Sequence, residues 1–308
     1  MSSEQLILTV GTAHVELLLG YKNPSDGDVA LLDCPPFTRC GGTGGAEALA
    51  MTNLGYKAAL CSLVGDDQNG RSFAAYLKEK GVDTRFLAKA PGGKTTYIAT
   101  LKKEGESKQT LLYPGQVGKM SFHLVEEAFM CMPDGVSLHT ELPFDILLHA
   151  AGLAAQKHIP LFLDAGYVRE DFRAEDLPTF EILSLSEDAV KQMTGITLGG
   201  TESCVKAALA LSDKIKAKYF VFRLGVRGCF LFDGKMIHHF APPRLEFSSS
   251  EGDRAFVGAL VGGYLESKGD IRFACKWANG AMSLTSSKRN EENPYPLRGE
   301  LEALVSSK

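Results

Sequence analysis

A polar loop joined directly to an apolar helix is the feature of this sequence that most constrains its fold. Residues 247–265 read FSSSEGDRAFVGALVGGYL, and from Ala255 onward nearly every residue is apolar or glycine. A helix without a polar face should be buried in the centre of an α/β protein. Its start, at residues 250–254, presents unpaired N–H groups and the positive end of the helix dipole, which favour an anion such as phosphate. An ordinary core helix capped by a serine is the alternative.

The composition favours a cytoplasmic globular protein. The chain has 308 residues, 44% of them hydrophobic, which is enough for one large α/β domain or two smaller ones. A net charge of -4 gives no reason to expect nucleic acid or an acidic membrane as a partner. The N-terminus lacks the pattern of a secretory signal, and no apolar run approaches a membrane span.

Helical and strand patterns alternate along most of the chain. Buried strands are predicted at residues 6–10, 58–64, 160–164, 177–185, 219–224 and 229–232, and helices at residues 71–80, 144–157, 189–193 and 204–216. This alternation predicts a mainly parallel sheet with helices on both faces. Ligands of such sheets bind outside the carboxyl ends of the strands, where Gly11, Gly65, Asp164 and Gly225 are placed.

A second, smaller sheet is predicted from a different pattern. Residues 95–101 and 109–113 are β-prone and are separated by a charged segment that contains Gly105, which is a hairpin signal. Further short strands are expected at residues 14–19 and 28–32, before Pro35 and Pro36 end the regular structure. A lid over a ligand site and a dimer contact are two uses for such a sheet.

The order of motifs resembles the ribokinase or PfkB carbohydrate kinase family over almost the whole chain. The matching run is GGTGGAEALAMTNLGYKAALCSLVGDDQNGRSFAAYLKEKGVD at residues 41–83. Further matches are Asp164 after a strand, RLGVRG at residues 223–228, DG at residues 233–234, the apolar helix described above, and WANGAMSL at residues 277–284. The ketohexokinase branch is similar around SEDAV at residues 186–190 and PPR at residues 242–244.

The resemblance implies the fold and the activity together. It implies a single ribokinase-like α/β domain over residues 1–308, with a mainly parallel sheet flanked by helices on both faces and a β lid formed from about 14–38 and 95–114. A sugar or nucleoside would lie under the lid, ATP with Mg²⁺ would lie beside the apolar helix, and a homodimer would form through the lid.

The resemblance also implies roles for individual residues. In this family an Asp at the start of the apolar helix is the base for the substrate hydroxyl, and the adjacent amides form an anion hole. Carried over, the catalytic residues are Asp253, Gly252 and Arg254. The substrate-binding residues are Glu16, Gly41, Gly42 and Thr43, the nucleotide-binding residues are Ser186, Gly225, Gly228 and Asn279, and the metal-binding residue is Glu187.

The catalytic motif departs from the family pattern. The family's DTTGAGDAF is here SSSEGDRAF, and a gapless alignment places Arg254 on the catalytic Asp. An arginine cannot accept the proton. A shift of one residue would restore Gly252 and Asp253 as the pair, with a bulge in the first helical turn absorbing Arg254. Glu251 would repel a transferring phosphoryl group unless Arg254 or Mg²⁺ offsets it.

The binding motifs depart as well. Glu16 stands where the family has a sugar-binding Asp, Thr43 and Ala46 stand where amide side chains are common, and Glu187 or Asp188 would have to serve for the family's NxxE metal motif. Because the resemblance covers almost the whole chain, the leading hypothesis is an ATP-dependent kinase of a small sugar-like substrate. The departures at Thr43, Ala46, Glu251 and Arg254 favour the alternative, a catalytically impaired member that acts as a ligand sensor or assembly partner. A third hypothesis is a different phosphate chemistry with Arg254 as a charge clamp.

Overall fold

In the part of the chain that the structure describes, buried strands alternate with helices to form a nine-stranded sheet with helices on both faces. The computed structural model describes residues 5–21, 32, 36–103, 109–243, 249–288 and 291–306. Its strands are β1 Leu6–Val10, β2 His14–Tyr21, β3 Phe37–Gly41, β4 Lys57–Gly65, β5 Leu87–Ala90, β6 Tyr97–Lys103, β7 Gln109–Tyr113, β8 Gly135–His139, β9 Leu161–Ala165, β10 Phe180–Ser186, β11 Ala217–Arg223, β12 Cys229–Phe232 and β13 Ile237–Phe240. Its helices are α1 Thr43–Asn53, α2 Gln68–Glu79, α3 Phe122–Phe129, α4 Phe144–Gln156, α5 Glu187–Thr194, α6 Thr201–Ser212, α7 Ser250–Glu266, α8 Ile271–Ser287 and α9 Arg298–Ser306.

The large sheet is parallel except at one edge. Its strand order is β13-β12-β11-β10-β9-β8-β1-β4-β5, and only β12 runs against its neighbours. The central strands β8 and β9 are buried along their whole length, as expected of strands covered on both faces. The predicted parallel sheet with flanking helices is confirmed. The carboxyl ends of β1, β8, β9, β10 and β11 lie along one edge.

Helix α7 lies in the core, as its apolar sequence predicts. It packs against α1 and α8, and residues 255–265 are buried. A Cβ atom at Gly262 would lie 2.3 Å from the Tyr56 ring, and one at Gly258 would lie 3.2 Å from the Glu47 carbonyl oxygen. These two glycines therefore allow the close approach that the helix needs.

The smaller sheet, as far as its residues are described, has four strands in the order β3-β2-β6-β7, and we call it the lid. Strands β6 and β7 form the predicted hairpin, while β2 pairs with β6 in parallel. Strand β3 was not predicted, because Pro35 and Pro36 precede it and a glycine-rich turn follows it. Apart from Leu32, the strand predicted at 28–32 lies outside the described residues.

Candidate active site

The first turn of α7 is regular. The Ser249 side chain caps the helix by accepting a hydrogen bond from the Gly252 N–H at 3.0 Å, and the Asp253 N–H donates to the Ser249 carbonyl at 3.1 Å. The helix is α-helical from Ser250 onward, so it has no bulge that would absorb Arg254 as an insertion. Asp253 and Arg254 are therefore consecutive residues of an unbroken helix, and their side chains leave α7 in different directions.

Arg254 reaches the carboxyl ends of two central strands. Its guanidinium donates to Asp164 Oδ2 at 3.0 Å, at the end of β9, and lies 3.4 Å from Glu141 Oε1, just after β8. The other oxygen of Asp164 accepts from Arg223 Nη1 at 2.6 Å, at the end of β11. Burial alone would raise the pKa of Asp164, but Arg223, His139 and Arg254 hold it well below its usual range. Asp164 is therefore an ionised hub between two guanidinium groups.

Asp253 lies beside this pair of arginines without being bonded to them. Within the described part of the chain, no hydrogen bond or ion pair ends on its carboxylate. Burial raises the pKa of Asp253, while the positive charges of Arg223 and Arg254 oppose that rise. The site thus holds one carboxylate that is available to a ligand and two guanidinium groups that favour its ionised form.

Glu141 accepts hydrogen bonds from the hydroxyl groups of two threonines, Thr12 and Thr43. One of its oxygens accepts from the Thr43 hydroxyl, at the start of α1, and from the Thr12 hydroxyl at 3.2 Å. The Thr12 hydroxyl in turn accepts the Thr43 N–H at 2.9 Å. Burial alone would raise the pKa of Glu141, but Arg254, the Thr43 hydroxyl and His139 keep it below its ordinary value. The predicted substrate residue Thr43 is therefore joined to Arg254 through a carboxylate that the sequence motifs did not single out.

His139 lies beneath the site and is fully buried. Its Nε2 atom is 3.1 Å from Glu47 of α1, and its Nδ1 atom is 3.7 Å from Asp164. Burial alone would lower the pKa of His139, but Glu47 and Asp164 raise it to about 9. The imidazole is therefore a cation at neutral pH, and it offsets part of the negative charge of the two carboxylates.

We expect this charge to make stability depend on pH. The pKa of His139 rises from about 6.5 in the unfolded chain to about 9 in the folded protein. Its protonation therefore contributes its full stabilisation of the folded protein below about pH 6.5. Between the two values, the free energy of unfolding should fall by about 1.4 kcal/mol for each pH unit. Urea midpoints between about pH 6.5 and 8 would measure this, and His139→Gln should flatten the dependence.

Other groups whose pKa values are shifted by burial titrate outside this pH range. Burial lowers the pKa of His14 to about 4, so its contribution to stability is lost as pH falls, below the range used. Burial raises the pKa of the Cys40 and Cys61 thiols to about 12, so they respond above it. An equal slope in native protein and His139→Gln would show that His139 is not the group responsible.

The lid contributes charged side chains to the site. Arg39 of β3 donates to Glu16 of β2 through Nε at 2.9 Å and Nη2 at 2.8 Å, and its Nη2 also pairs with Glu251 of α7. Gly41 is the last residue of β3, and Gly42 lies between β3 and α1. The Gly42 N–H donates to His14 Nε2 at 3.0 Å, with Gly42 at a φ of 91° that favours glycine. The structure therefore places the predicted substrate residues Glu16, Gly41, Gly42 and Thr43 beside one another.

The predicted nucleotide residues lie at the carboxyl ends of other strands. Ser186 ends β10 and caps α5, while Gly225 and Gly228 adopt positive φ angles of 52° and 81° in the turn between β11 and β12. Asn279 of α8 donates to the Phe240 carbonyl at 2.9 Å, at the end of β13. In the sheet order these strands lie on one side of β9, and β8 and β1 lie on the other. Arg254 contacts β9, so the start of α7 lies between the two groups.

The predicted metal residue Glu187 is engaged by another side chain. Its carboxylate pairs with Arg227, and within the described ranges no group of three or more His, Cys, Asp or Glu side chains could hold a metal ion. Mg²⁺ in kinases is commonly held by one or two carboxylates together with nucleotide phosphates. As placed here, Glu187 does not fit a metal site made by the protein alone.

Several residues of the site were missed as functional candidates, namely Arg39, Glu47, His139, Glu141 and Arg223. Three of them share a signal, because His139, Glu141 and Arg223 are polar residues at or just after the carboxyl end of a buried strand. That position marks ligand sites in parallel sheets. Arg39 and Glu47 had no comparable signal, since both lie in a glycine-rich segment.

Comparisons with known proteins agree with this architecture. Residues 34–298 match the pfkB family carbohydrate kinase. The chain is similar to ribokinase of Haemophilus influenzae, with 24% identity over 84% of this chain and 85% of that protein. It is also similar to fructokinase-1 of Zea mays, with 24% identity over 99% and 98% of the two chains. A third relative, 5-dehydro-2-deoxygluconokinase of Bacillus subtilis, is 22% identical over 98% and 96% of the two chains.

Solved structures share the fold at low sequence identity. Ribokinase from Giardia lamblia superimposes with a TM-score of 0.86 at 17% identity, over 99% of each chain. Ribokinase of Arabidopsis thaliana, solved in complex with ribose and ATP, gives a TM-score of 0.83 at 19% identity, again over 99% of each chain. Among the described residues, no helix is long and apolar enough to cross a bilayer. By the match over residues 34–298, this chain belongs to the pfkB family of carbohydrate kinases.

Proposed function

We propose that this protein is an ATP-dependent phosphotransferase that phosphorylates a hydroxyl group of a small sugar-like substrate. The observation that carries the proposal is Asp253, a carboxylate in the first turn of α7 that no described side chain bonds. A general base must be able to reach the proton that it removes, and a carboxylate already held by an arginine is a poor base. Asp164 and Glu141 are held in that way, and Asp253 is not.

The proposed step uses the charges around Asp253. The substrate hydroxyl gives its proton to the Asp253 carboxylate as its oxygen forms a bond to the γ-phosphorus of ATP. The bond from that phosphorus to the bridging oxygen breaks, and ADP leaves. Arg223 and Arg254 favour the ionised form of Asp253 and so oppose the effect of burial on its pKa. The N–H groups at the start of α7 would stabilise the charge on the transferred phosphoryl group, with the Gly252 N–H exchanging its hydrogen bond to the Ser249 side chain for one to phosphate.

The two reactants would lie against the two groups of predicted binding residues, on either side of the start of α7. The sugar-like substrate would lie against Glu16, Gly41, Gly42 and Thr43 under the lid. ATP would lie over the strand ends that carry Ser186, Gly225 and Gly228, with Asn279 supporting β13. Mg²⁺ would shield the phosphate charges and be held mainly by the nucleotide.

The test is ADP release from Mg-ATP over a panel of sugars, sugar acids and nucleosides. Turnover that requires one acceptor, with a phosphorylated product in equal amount to ADP, is the expected result. No turnover by folded protein across the panel would contradict the proposal. Calorimetric titration with ATP would then separate a protein that binds nucleotide without transfer from one that binds none.

The second candidate is a catalytically impaired protein that senses a ligand or serves in an assembly. The position of Arg254 favours it, because its guanidinium occupies the space between Asp164 and Glu141 in the unbroken register of α7. Such a protein would be stabilised by a sugar or by ATP in thermal melts while releasing no ADP. Formation of a phosphorylated product would exclude this candidate. A homodimer through the lid stays a prediction for either candidate; Leu111, Leu112 and Tyr113 of the lid strand β7 are exposed.

A further inference from the structure

A chain of three charges, of which Arg39 and Glu251 are buried and Glu16 is half-buried, joins the lid to the start of α7. The Arg39 guanidinium lies between the carboxylates of Glu16 and Glu251, at 2.8 Å from the first and in direct contact with the second. Arg39 and Glu251 are each 8% exposed. A buried guanidinium between two carboxylates is costly to desolvate unless both contacts are kept. The position of the Glu251 carboxylate is therefore fixed by a residue of the lid.

Glu251 is the second residue of α7, where a negative side chain is attracted to the free N–H groups of the helix. Those N–H groups are the ones that the proposed function assigns to the transferred phosphoryl group. Left alone, the Glu251 carboxylate would compete with phosphate for them. In the structure it is bound instead by Arg39 and by the Ser250 hydroxyl at 2.8 Å.

Arg254 does not hold the Glu251 carboxylate. Its guanidinium is committed to Asp164 at 3.0 Å and to Glu141 at 3.4 Å. Among the described residues, the cation in contact with Glu251 is Arg39. The Glu251 charge is thus offset from the lid and not from the helix that carries it.

We propose that Arg39 is a positioning residue for phosphoryl transfer, which holds the Glu251 carboxylate against the lid and so leaves the first N–H groups of α7 open to phosphate. The inference rests on the proposed function. It gives β3 a role in the nucleotide reaction as well as beside the sugar, because phosphate can approach α7 only while the lid keeps Glu251 turned away.

The experiment is a double-substitution cycle of Arg39→Gln and Glu251→Gln, assayed with Mg-ATP and the best acceptor of the panel. Arg39→Gln in the native background should lower kcat by about 10- to 100-fold and raise the KM for ATP, since an unpaired charge now lies near the phosphates. In the Glu251→Gln background, the same substitution should lower kcat by about 3-fold or less, because Glu251 no longer carries the charge that Arg39 offsets. The contact of Arg39 with Glu16 is lost in both backgrounds and cancels in the comparison.

Two further variants separate this role from a purely structural one. Arg39→Lys keeps the positive charge and should recover most of the lost kcat. Arg85→Gln is the matched control, because Arg85 pairs with Asp83 at the surface and should leave the kinetics unchanged. Partial unfolding would lower the apparent kcat without raising the KM for ATP.

The outcomes distinguish the two proposals. Equal losses of kcat for Arg39→Gln in the two backgrounds, with native turnover intact, would overturn the role of Arg39 and leave the proposed function standing. Native protein that turns over no acceptor would overturn the proposed function and, with it, this inference.

Discussion

Replacing Asp253 with Asn is expected to lower kcat by about 10²- to 10⁴-fold, the range found for loss of a general base. The amide keeps the size of the side chain but cannot accept the proton of the substrate hydroxyl. Because no described residue bonds the Asp253 carboxylate, the exchange should leave the fold intact. ADP release would measure kcat, and calorimetry would show ATP affinity within a few-fold of the native value.

The pH profile gives a second measurement of the same role. Burial raises the pKa of Asp253 above that of an ordinary aspartate, so the loss of kcat/KM on acidification should begin at higher pH than for an exposed carboxyl. Removing the positive charge of Arg254 should move this limb to still higher pH, because Arg254 favours the ionised form.

The matched control is Asp213→Asn. Asp213 is exposed at the end of α6, near the amino ends of the strands and away from the site, so this exchange should leave kcat unchanged. Native-like activity of Asp253→Asn, combined with loss of activity in Arg254→Ala, would contradict the proposed base. That result would instead support a chemistry in which Arg254 clamps the phosphate.

The fold could be predicted because its signals are local. The buried helix α7 followed from an apolar run with small residues, the lid hairpin from two β-prone segments around a charged turn, and the parallel sheet from alternation. Each signal lies within about 20 residues of sequence, the scale on which hydrophobic periodicity is decisive. The family motifs added the order of these elements. Strand β3 escaped prediction because its surroundings are rich in proline and glycine.

The charged site could not be predicted in the same way, because its contacts join distant positions. Asp164 precedes Arg254 by 90 residues, and Glu141 precedes it by 113. Which of Asp253 and Arg254 meets those carboxylates depends on whether the first turn of α7 stays regular. The structure shows that α7, which packs against α1 and α8, is regular from Ser250 onward, and no local pattern in SSSEGDRAF reveals this.

A large loss of stability is expected when Asp164 is replaced with Asn. The Asp164 carboxylate is fully buried and contacts Arg223 at 2.6 Å and Arg254 at 3.0 Å. Without its charge, the guanidinium of Arg223, which is 3% exposed, remains buried with no counter-ion of comparable contact. Removing one partner of a buried ion pair typically costs about 3–5 kcal/mol. Urea unfolding at neutral pH would measure the loss.

The matched control uses the same exchange at the surface. Asp171 pairs with Arg169 at 2.8 Å, but their side chains are 48% and 41% exposed. Asp171→Asn should therefore cost less than about 1 kcal/mol, since water screens such pairs. Equal losses of unfolding free energy for the two variants would show that the buried ion pairs of Asp164 contribute no more to stability than an exposed pair does.

The same hub should also determine how the protein responds to acid. Since the folded protein holds the pKa of Asp164 well below that of the unfolded chain, its stabilisation is complete above about pH 4 and is lost as pH falls below that value. Asp164→Asn should remove this part of the acid sensitivity. Because Asp164 also holds Arg254 at the start of α7, residual kcat in the folded fraction of Asp164→Asn would show how far phosphoryl transfer depends on the placement of Arg254.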